Sequence, residues 1–414
     1  MSSKNSADQA LIRELNLSLV LQQIHNDAPV SRAQIAQITG LNKSTVSSLV
    51  ESLIDRNLIH ETGIKTVGTG RPATLLEINP RAGGIIGVEL GIDFVAVALT
   101  DFAGNILWKQ RENANPTDAQ EKTLAQTLEL INRAVVVCKK QDLFLFGLGV
   151  ATPGTVDLNE GILVFAPNLQ WRNVPLKEII SSHTGIQAYI ENDANAAAVA
   201  EHLFGAARQS QNFIFVFAGV GIGGGLFLNG ELHRGNNGYA GELGHSPIMI
   251  EPFLSSCHCG NQGCWETYAN QYSIIKRVQA RLEVNRNSII PGLLKEENIP
   301  LSISIIKQAA DDGDPVAIEA LSETGVAIGL GIANLINIFN PEKIIFGGPL
   351  SIVGEYLLPS IKDTALKHSL PEINPNVEIL LSGFAKNASL IGAVSIVVDD
   401  ILQSPTIIDR PVQQ

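Results

Sequence analysis

Y-A-G-E-L-G-H-S-P, running from Tyr239 to Pro247, and C-H-C-G-N-Q-G-C-W-E-T-Y, running from Cys257 to Tyr268, are the stretch from which the rest of the chain is read. Three of the four cysteines stand here, at Cys257, Cys259 and Cys264, and His245 lies twelve residues before the first. Thiolate sulfur and imidazole nitrogen are the donors zinc prefers, and four of them close a tetrahedral site with no open position. Gly260 and Gly263 allow the tight turn that brings Cys259 and Cys264 to one ion. The spacing predicts a zinc site held by His245, Cys257, Cys259 and Cys264, with His258 the rival fourth ligand. A closed site of this kind is structural, so the nearby carboxylates Glu242 and Glu266 carry the functional interest: a metal that fixes the segment also fixes them as acceptors in a pocket for a polyol.

The pattern Glu242-x-Gly244-His245 followed by Cys257-x-Cys259-Gly260-x-x-Gly263-Cys264-x-Glu266 resembles the signature of the ROK family of repressors, open reading frames and kinases. The resemblance extends over roughly the last four-fifths of the chain and is closest to the xylose-type and NagC-like sugar repressors. It implies a two-lobed actin-like ATPase fold of the α/β class, a zinc site and a bound sugar.

Composition agrees with a chain of several domains. At 414 residues it exceeds what one core usually organises. The net charge of -12 is unevenly placed: residues 1–80 carry seven Lys/Arg and seven Asp/Glu, so the remainder supplies the whole deficit. An acidic body repels phosphate and argues against broad nucleic-acid binding, but it leaves room for a neutral module that docks through a few cations. The N-terminus has no apolar run typical of a signal peptide, the glycine-broken stretch 213–228 is short for a membrane span, and clustered cysteines suit a reducing compartment. The expectation is a soluble cytoplasmic protein with no membrane partner.

The first eighty residues read as a winged helix-turn-helix. A helix over 11–25 shows an approximate apolar stripe of Leu11, Leu15, Leu19 and Ile24. Ser31 can cap a second helix over 32–39, with Ile35, Ala36 and Ile38 available to the core, and Gly40 permits the turn. Asn42 can cap a third helix, in which Val46, Leu49, Val50 and Leu53 form one buried face. Its exposed start offers Lys43, Ser44, Thr45, Ser47 and Ser48, short hydroxyls and one lysine that can approach base edges and phosphates. Two strands near 58–61 and 73–78 make the wing. Arg71, between Gly70 and Pro72, is either a minor-groove arm or part of an interdomain loop.

Beyond the wing, I-I-G-V-E-L-G-I-D-F-V-A-V-A-L-T-D at 85–101 and F-I-F-V-F-A-G-V-G-I-G-G-G-L-F-L-N-G at 213–230 read as two similar hairpins, the mark of a duplicated α/β architecture. The expected division is 1–80 for the DNA-binding module, 81–200 for a first lobe completed by a helix over 386–402, and 201–385 for a second lobe with the zinc site; residues beyond Ser404 read as a loose tail. A strand over 188–191 runs into Asn192 and Asp193 ahead of an alanine-rich helix. Ligands of α/β sheets lie at that strand edge, although an Asn-Asp pair there can also cap the helix.

In kinases of the family the first hairpin carries Asp-x-Gly-x-Thr and the second Gly-Thr-Gly. Here Glu89, Gly91 and Asp93 are followed by Phe94, and Val220 stands between Gly219 and Gly221, so both phosphate-side hydroxyls are absent. Phosphoryl transfer depends on positioning and charge neutralisation. The resemblance carries sugar binding onto Asn168, Asn192, Asp193, Glu242, His245 and Glu266, whose carboxylates and carboxamides suit adjacent hydroxyls. The expectation is a sugar-responsive repressor with no catalytic residue, acting as a homodimer or dimer of dimers on operator DNA. A sugar kinase with an added DNA module is the alternative, and a sensor governed by a protein partner is the third reading.

Overall fold

The computed structural model describes residues 2–65, 73–115, 117–248, 255–284, 287–297 and 300–407. Its first elements are α1 (Ser2–Asp27), β1 (Val30–Ser31), α2 (Arg32–Thr39), α3 (Lys43–Asp55), β2 (Ile59–Lys65) and β3 (Ala73–Ile78). The Ser31 hydroxyl accepts from Gln34 N–H at 3.3 Å while the Gln34 side chain accepts from Ser31 N–H at 3.1 Å, a reciprocal cap that starts α2. Gly40 ends α2 with φ 72°. The Asn42 carboxamide accepts from Thr45 N–H at 2.8 Å and starts α3. Val46, Leu49, Val50 and Leu53 are all buried, and the strands pair in the order β1-β3-β2. This is a winged helix-turn-helix.

Two readings of this module need correction. The buried face of α1 is Leu17, Val20, Leu21 and Ile24, at steps of three, four and seven, whereas Leu11, Leu15 and Leu19 are exposed. A strict step of four drifts around a helix of 3.6 residues per turn, so those leucines occupy a second face. Ile38 is 55% exposed, because Ile35 and Ala36 already fill the space between α2 and its neighbours. Arg71 lies outside the described residues.

The body continues with β4 (Gly84–Leu90), β5 (Phe94–Asp101), β6 (Ile106–Asn113), α4 (Gln120–Lys140), β7 (Leu145–Thr152), β8 (Thr155–Asp157), β9 (Ile162–Ala166), β10 (Trp171–Val174), α5 (Leu176–Thr184) and β11 (Ala188–Asn192). Next come α6 (Asp193–Phe204), β12 (Phe213–Ala218), β13 (Ile222–Leu228), β14 (Glu231–Leu232), α7 (Glu266–Ala269), α8 (Gln271–Val284), α9 (Ile290–Glu297) and α10 (Ile303–Asp311). Then follow α11 (Pro315–Phe339), β15 (Lys343–Gly347), α12 (Gly354–His368), β16 (Glu378–Leu381) and α13 (Ala388–Gln403).

Two five-stranded sheets have one topology. The first runs β11-β7-β4-β5-β6 and the second β16-β15-β12-β13-β14: an antiparallel three-strand meander extended on one side by two further strands. Both begin with the paired hairpins singled out in the sequence, β4–β5 and β12–β13, and each hairpin's first strand pairs in parallel with the strand beyond it. The duplication is thus a property of the fold.

By contact density the chain forms two compact units, Met1–Thr152 with Pro175–Glu191 and Ala393–Gln414, and Pro153–Val174 with Asn192–Gly392. In the first, the Ser18 hydroxyl of α1 donates to Leu402 O of α13 at 2.8 Å, and Thr406 bonds Glu14. The segment just past Ser404 is therefore a short turn with Pro405 buried, where a loose tail was expected. In the second, α11 is the core helix. Among the described residues it alone is long and apolar enough to cross a membrane, but 67% of its apolar window is buried in the protein.

Candidate functional site

Trp265 sets the cysteine segment in place. Its ring is buried, and its indole N–H donates to Ala327 O of α11 at 2.9 Å. Any Cβ at Gly331 would lie 2.0 Å from that ring, so the glycine makes the space. Tyr268 adds a second tie, its hydroxyl accepting from Ser255 N–H at 2.8 Å. With Trp265 and Tyr268 anchored, Glu266 between them has little freedom.

His245, Cys257, Cys259 and Cys264 converge, with ligand atoms all within 4.8 Å of one another. Cys257 Sγ lies 3.6 Å from His245 Nδ1, and Cys259 Sγ lies 3.8 Å from Cys264 Sγ. Donors about 2.3 Å from a tetrahedral ion stand about 3.7 Å apart, so the set fits a metal ion. His258 is not a member of this group. The ring of His245 turns Nδ1 toward the cysteines and Nε2 toward Glu242 Oε2, 3.8 Å away. A carboxylate on the far nitrogen of a ligating histidine is the usual way its orientation is held. Burial pushes the Cys257 thiol up, and it donates to Glu266 Oε1 at 2.9 Å. A bound cation would favour the thiolate and release Glu266 from that bond.

Beside the cluster is a cavity of roughly 360 Å³ lined by Asn168, Val220, His245, Glu266, Tyr272 and Lys276, among others. That is within the usual range for small-molecule sites. Glu266 Oε2 lies against the β12–β13 turn, where a Cβ at Gly221 would sit 2.7 Å from it. Three of the six residues assigned to sugar by resemblance, Asn168, His245 and Glu266, line this cavity, and Glu242 reaches it through His245. Tyr272 and Lys276 went unnoticed in the sequence because they sit on α8, a helix without any motif of its own.

Asn192 and Asp193 occupy the start of α6. The Asn192 carboxamide oxygen accepts from Ala194 N–H at 2.9 Å and Asn195 N–H at 3.2 Å, while its nitrogen donates to Gly154 O at 3.0 Å. Its amide is the cap of α6. Asp193 accepts from Ala194 N–H at 2.9 Å; burial, and then the charge of Glu242, push its carboxyl up to about 7. Desolvation likewise raises Glu242, opposed by His245.

The two kinase-like turns are built for packing. Phe94 lies on Gly91, where a Cβ would come within 2.2 Å of its ring, and the Arg111 guanidinium covers the ring at 3.4 Å from its centroid. An aromatic side chain capped by a cation thus fills the first turn. On β13, Cβ atoms at Gly224 and Gly225 would meet Leu243 at 2.2 Å and Ala198 at 2.4 Å. The glycine run is therefore required by close packing, and its survival says nothing about nucleotide.

On the DNA module, Lys43, Ser44 and Ser48 are exposed and Thr45 and Ser47 partly so. Ser47 turns its hydroxyl back to Lys43 O at 2.9 Å, and Ser44 donates to Asn42 at 2.8 Å.

Residues 85–400 match the ROK family, and residues 18–66 match the MarR family. The chain is similar to the xylose repressor of Bacillus spizizenii, 34% identical over 396 residues that cover 96% of this chain and 98% of that one. It is also similar to a crystal structure of a ROK family transcriptional regulator described as a homologue of E. coli Mlc, with 31% identity and a TM-score of 0.80 over 95% of this chain and 97% of that one. A ROK family glucokinase from Streptomyces griseus, solved with glucose and AMPPNP, is 31% identical with a TM-score of 0.68, over 76% of this chain and 99% of that one. The chain belongs to the ROK family, as a member that carries a MarR-type winged helix ahead of the actin-like sugar-kinase fold.

Proposed function

We propose that the protein is a sugar-responsive DNA-binding repressor of carbohydrate-utilisation genes, in which the kinase-like body senses sugar and does not phosphorylate it. The observation that carries this reading is a cavity into which Glu266, Asn168 and His245 bring polar side chains, on a chain whose phosphate-side turns hold Phe94 and Val220. Glu242, Asn192 and Asp193 complete the proposed sugar set; Asn192 does so by fixing the start of α6 beneath Asp193. The proposed metal is zinc, for which three sulfurs and one imidazole are the preferred donors, and its role is to hold the segment carrying Glu242 and Glu266. Lys43, Ser44, Thr45, Ser47 and Ser48 are the proposed reading face, with Arg71 as an arm. The proposed assembly is a homodimer in the cytoplasm, reading two half-sites.

The helix α13 is hydrogen-bonded through its side chains and backbone at both ends. At its start the Ser389 hydroxyl donates to Asp193 O at 3.2 Å; near its end Leu402 O accepts from Ser18 of α1 at 2.8 Å. Sugar shifts operator binding only by its difference in affinity between the two states.

The test measures operator binding and sugar-dependent ATP consumption on one preparation. The similarity to xylose repressors makes D-xylose the first probe, followed by D-glucose and their phosphates. Expected are operator binding weakened by one of these sugars and no ATP turnover above background. Turnover at kinase rates, roughly 1–100 per second, without sugar-dependent DNA binding would establish a kinase instead.

A further inference from the structure

We infer that Arg277, which stands outside the cavity, is a positioning residue for it: its guanidinium holds the corner between α7 and α8 on which the sugar contacts depend. This rests on the sugar reading above. Glu266, Thr267, Asn270, Tyr272, Ser273 and Lys276 all line the cavity, so one side of it is a single short stretch of chain. That stretch does not hold its own shape. α7 has four residues, about one turn, and an isolated turn is unstable in water. Burial of Ile274 and Val278 draws α8 onto the core, but apolar burial is non-directional and does not set the angle between the two helices.

Arg277 supplies the direction. Its Nη1 donates to Tyr268 O of α7 at 2.8 Å and to Thr324 Oγ1 of α11 at 3.1 Å, and its Nε faces Glu323 Oε1 at 3.2 Å. Thr324 is buried and gives its own proton to Ala320 O at 2.8 Å, so it meets the guanidinium as an acceptor. Tyr268 O belongs to the last turn of α7, where carbonyls look outside the helix for their donors. One planar group, with 17% of its side chain exposed, thus joins α7, α8 and α11. Tyr268 passes the constraint to the neighbouring wall: its hydroxyl accepts from Ser255 N–H at 2.8 Å, and Ser255 also lines the cavity. Glu323 adds little, because it is half exposed and Arg281 Nη2 already reaches it at 2.6 Å. The reach of the guanidinium therefore matters more than its charge. A lysine keeps the charge, but its ammonium ends one bond short of Nη1 and has no second nitrogen for Glu323.

The experiment compares Arg277→Lys, Arg277→Met and Glu323→Gln with wild type, each as the full zinc-loaded chain. Calorimetric titration with D-xylose, D-glucose and their phosphates reads affinity, elemental analysis reads zinc, and amide hydrogen exchange reads the backbone of residues 266–276. Both Arg277 variants should bind the effective sugar about tenfold more weakly and exchange faster across 266–276, at unchanged zinc content, while Glu323→Gln stays within about twofold of wild type. Exchange in β4 and β5 should not change, which separates this effect from general loosening. An Arg277→Lys variant that binds sugar as wild type does, affinity that falls only in step with zinc, or an equal loss in Glu323→Gln would each overturn the assignment. If wild type binds none of these sugars, the sugar reading fails, and exchange across 266–276 still decides whether Arg277 holds the corner: no change in Arg277→Lys overturns it.

Discussion

Asp193→Asn tests the proposed sugar site at the group whose titration the fold changes most usefully. The ordinary value of its carboxyl is 3.8, and in the folded protein burial and Glu242 raise it to about 7. Unfolded chain thus loses this proton near pH 4 and folded chain near pH 7. The stability contributed is complete below pH 4 and is lost as pH rises through 7. At 1.36 kcal/mol per unit the ceiling is on the order of 4 kcal/mol, and Asp193 is not fully buried, so the realised loss is smaller. Asparagine cannot ionise, so the variant should become more stable than wild type as pH rises from 5 to 8. Sugar binding should move the other way. An ionised carboxylate is the stronger acceptor, so wild-type affinity for the effective sugar should rise with pH, up to about tenfold per unit below 7. The variant should be pH-independent and about tenfold to hundredfold weaker at pH 8, the cost of one charged hydrogen bond. Calorimetric titration at pH 6, 7 and 8 reads the affinities, and thermal melts at the same pH values read stability, with Glu242→Gln separating the neighbour's contribution. Wild-type affinity that is flat with pH, together with an equally tight asparagine variant, would refute the assignment.

Three other outcomes follow from the same geometry. Cys259→Ser should lower bound zinc and melting temperature together, because structural metal binding is folding free energy, and elemental analysis beside a melt would expose any decoupling. Gly331→Ala should push Trp265 off α11 and cost about 1–3 kcal/mol net of any helix gain, and it should lower sugar affinity although it lies outside the cavity; unchanged indole fluorescence and affinity would mean that Trp265 does not hold Glu266 in place. Lys43→Ala should weaken operator binding and reduce its salt slope by about 1, while Thr45→Ala should alter sequence preference and leave the slope alone; neither should change sugar affinity, which titration would verify.

The winged helix was legible because its signals are local. Ser31 with Gln34, the left-handed turn at Gly40, Asn42 as a cap, and the steps from Val46 to Leu53 each need only a few neighbouring residues to act. Donor chemistry made the histidine–cysteine cluster equally legible: three cysteines within eight residues leave the chain few ways to fold that do not bring their sulfurs together. The paired hairpins disclosed the duplication because a strand's apolar pattern repeats wherever the unit repeats.

Other features depended on partners far away in the chain. Both faces of α1 are apolar, and only the position of α2, α3 and β3 selects Leu17, Val20, Leu21 and Ile24 for burial over Leu11, Leu15 and Leu19. The glycines of β13 look like a phosphate loop in the sequence, yet Leu243 and Ala198 are what leave them no room for a side chain. Arg111 covers Phe94 because β6 is hydrogen-bonded to β5, a pairing no spacing announces. Lys276 and Tyr272 reach the cavity only because α8 packs beside the cysteine segment, and Gly331 matters only because Trp265 arrives 66 positions away in sequence. Periodicity, capping and ligand chemistry are properties of short segments and survive in one dimension. Burial and close approach belong to pairs of surfaces, so they come into being only when the chain has folded.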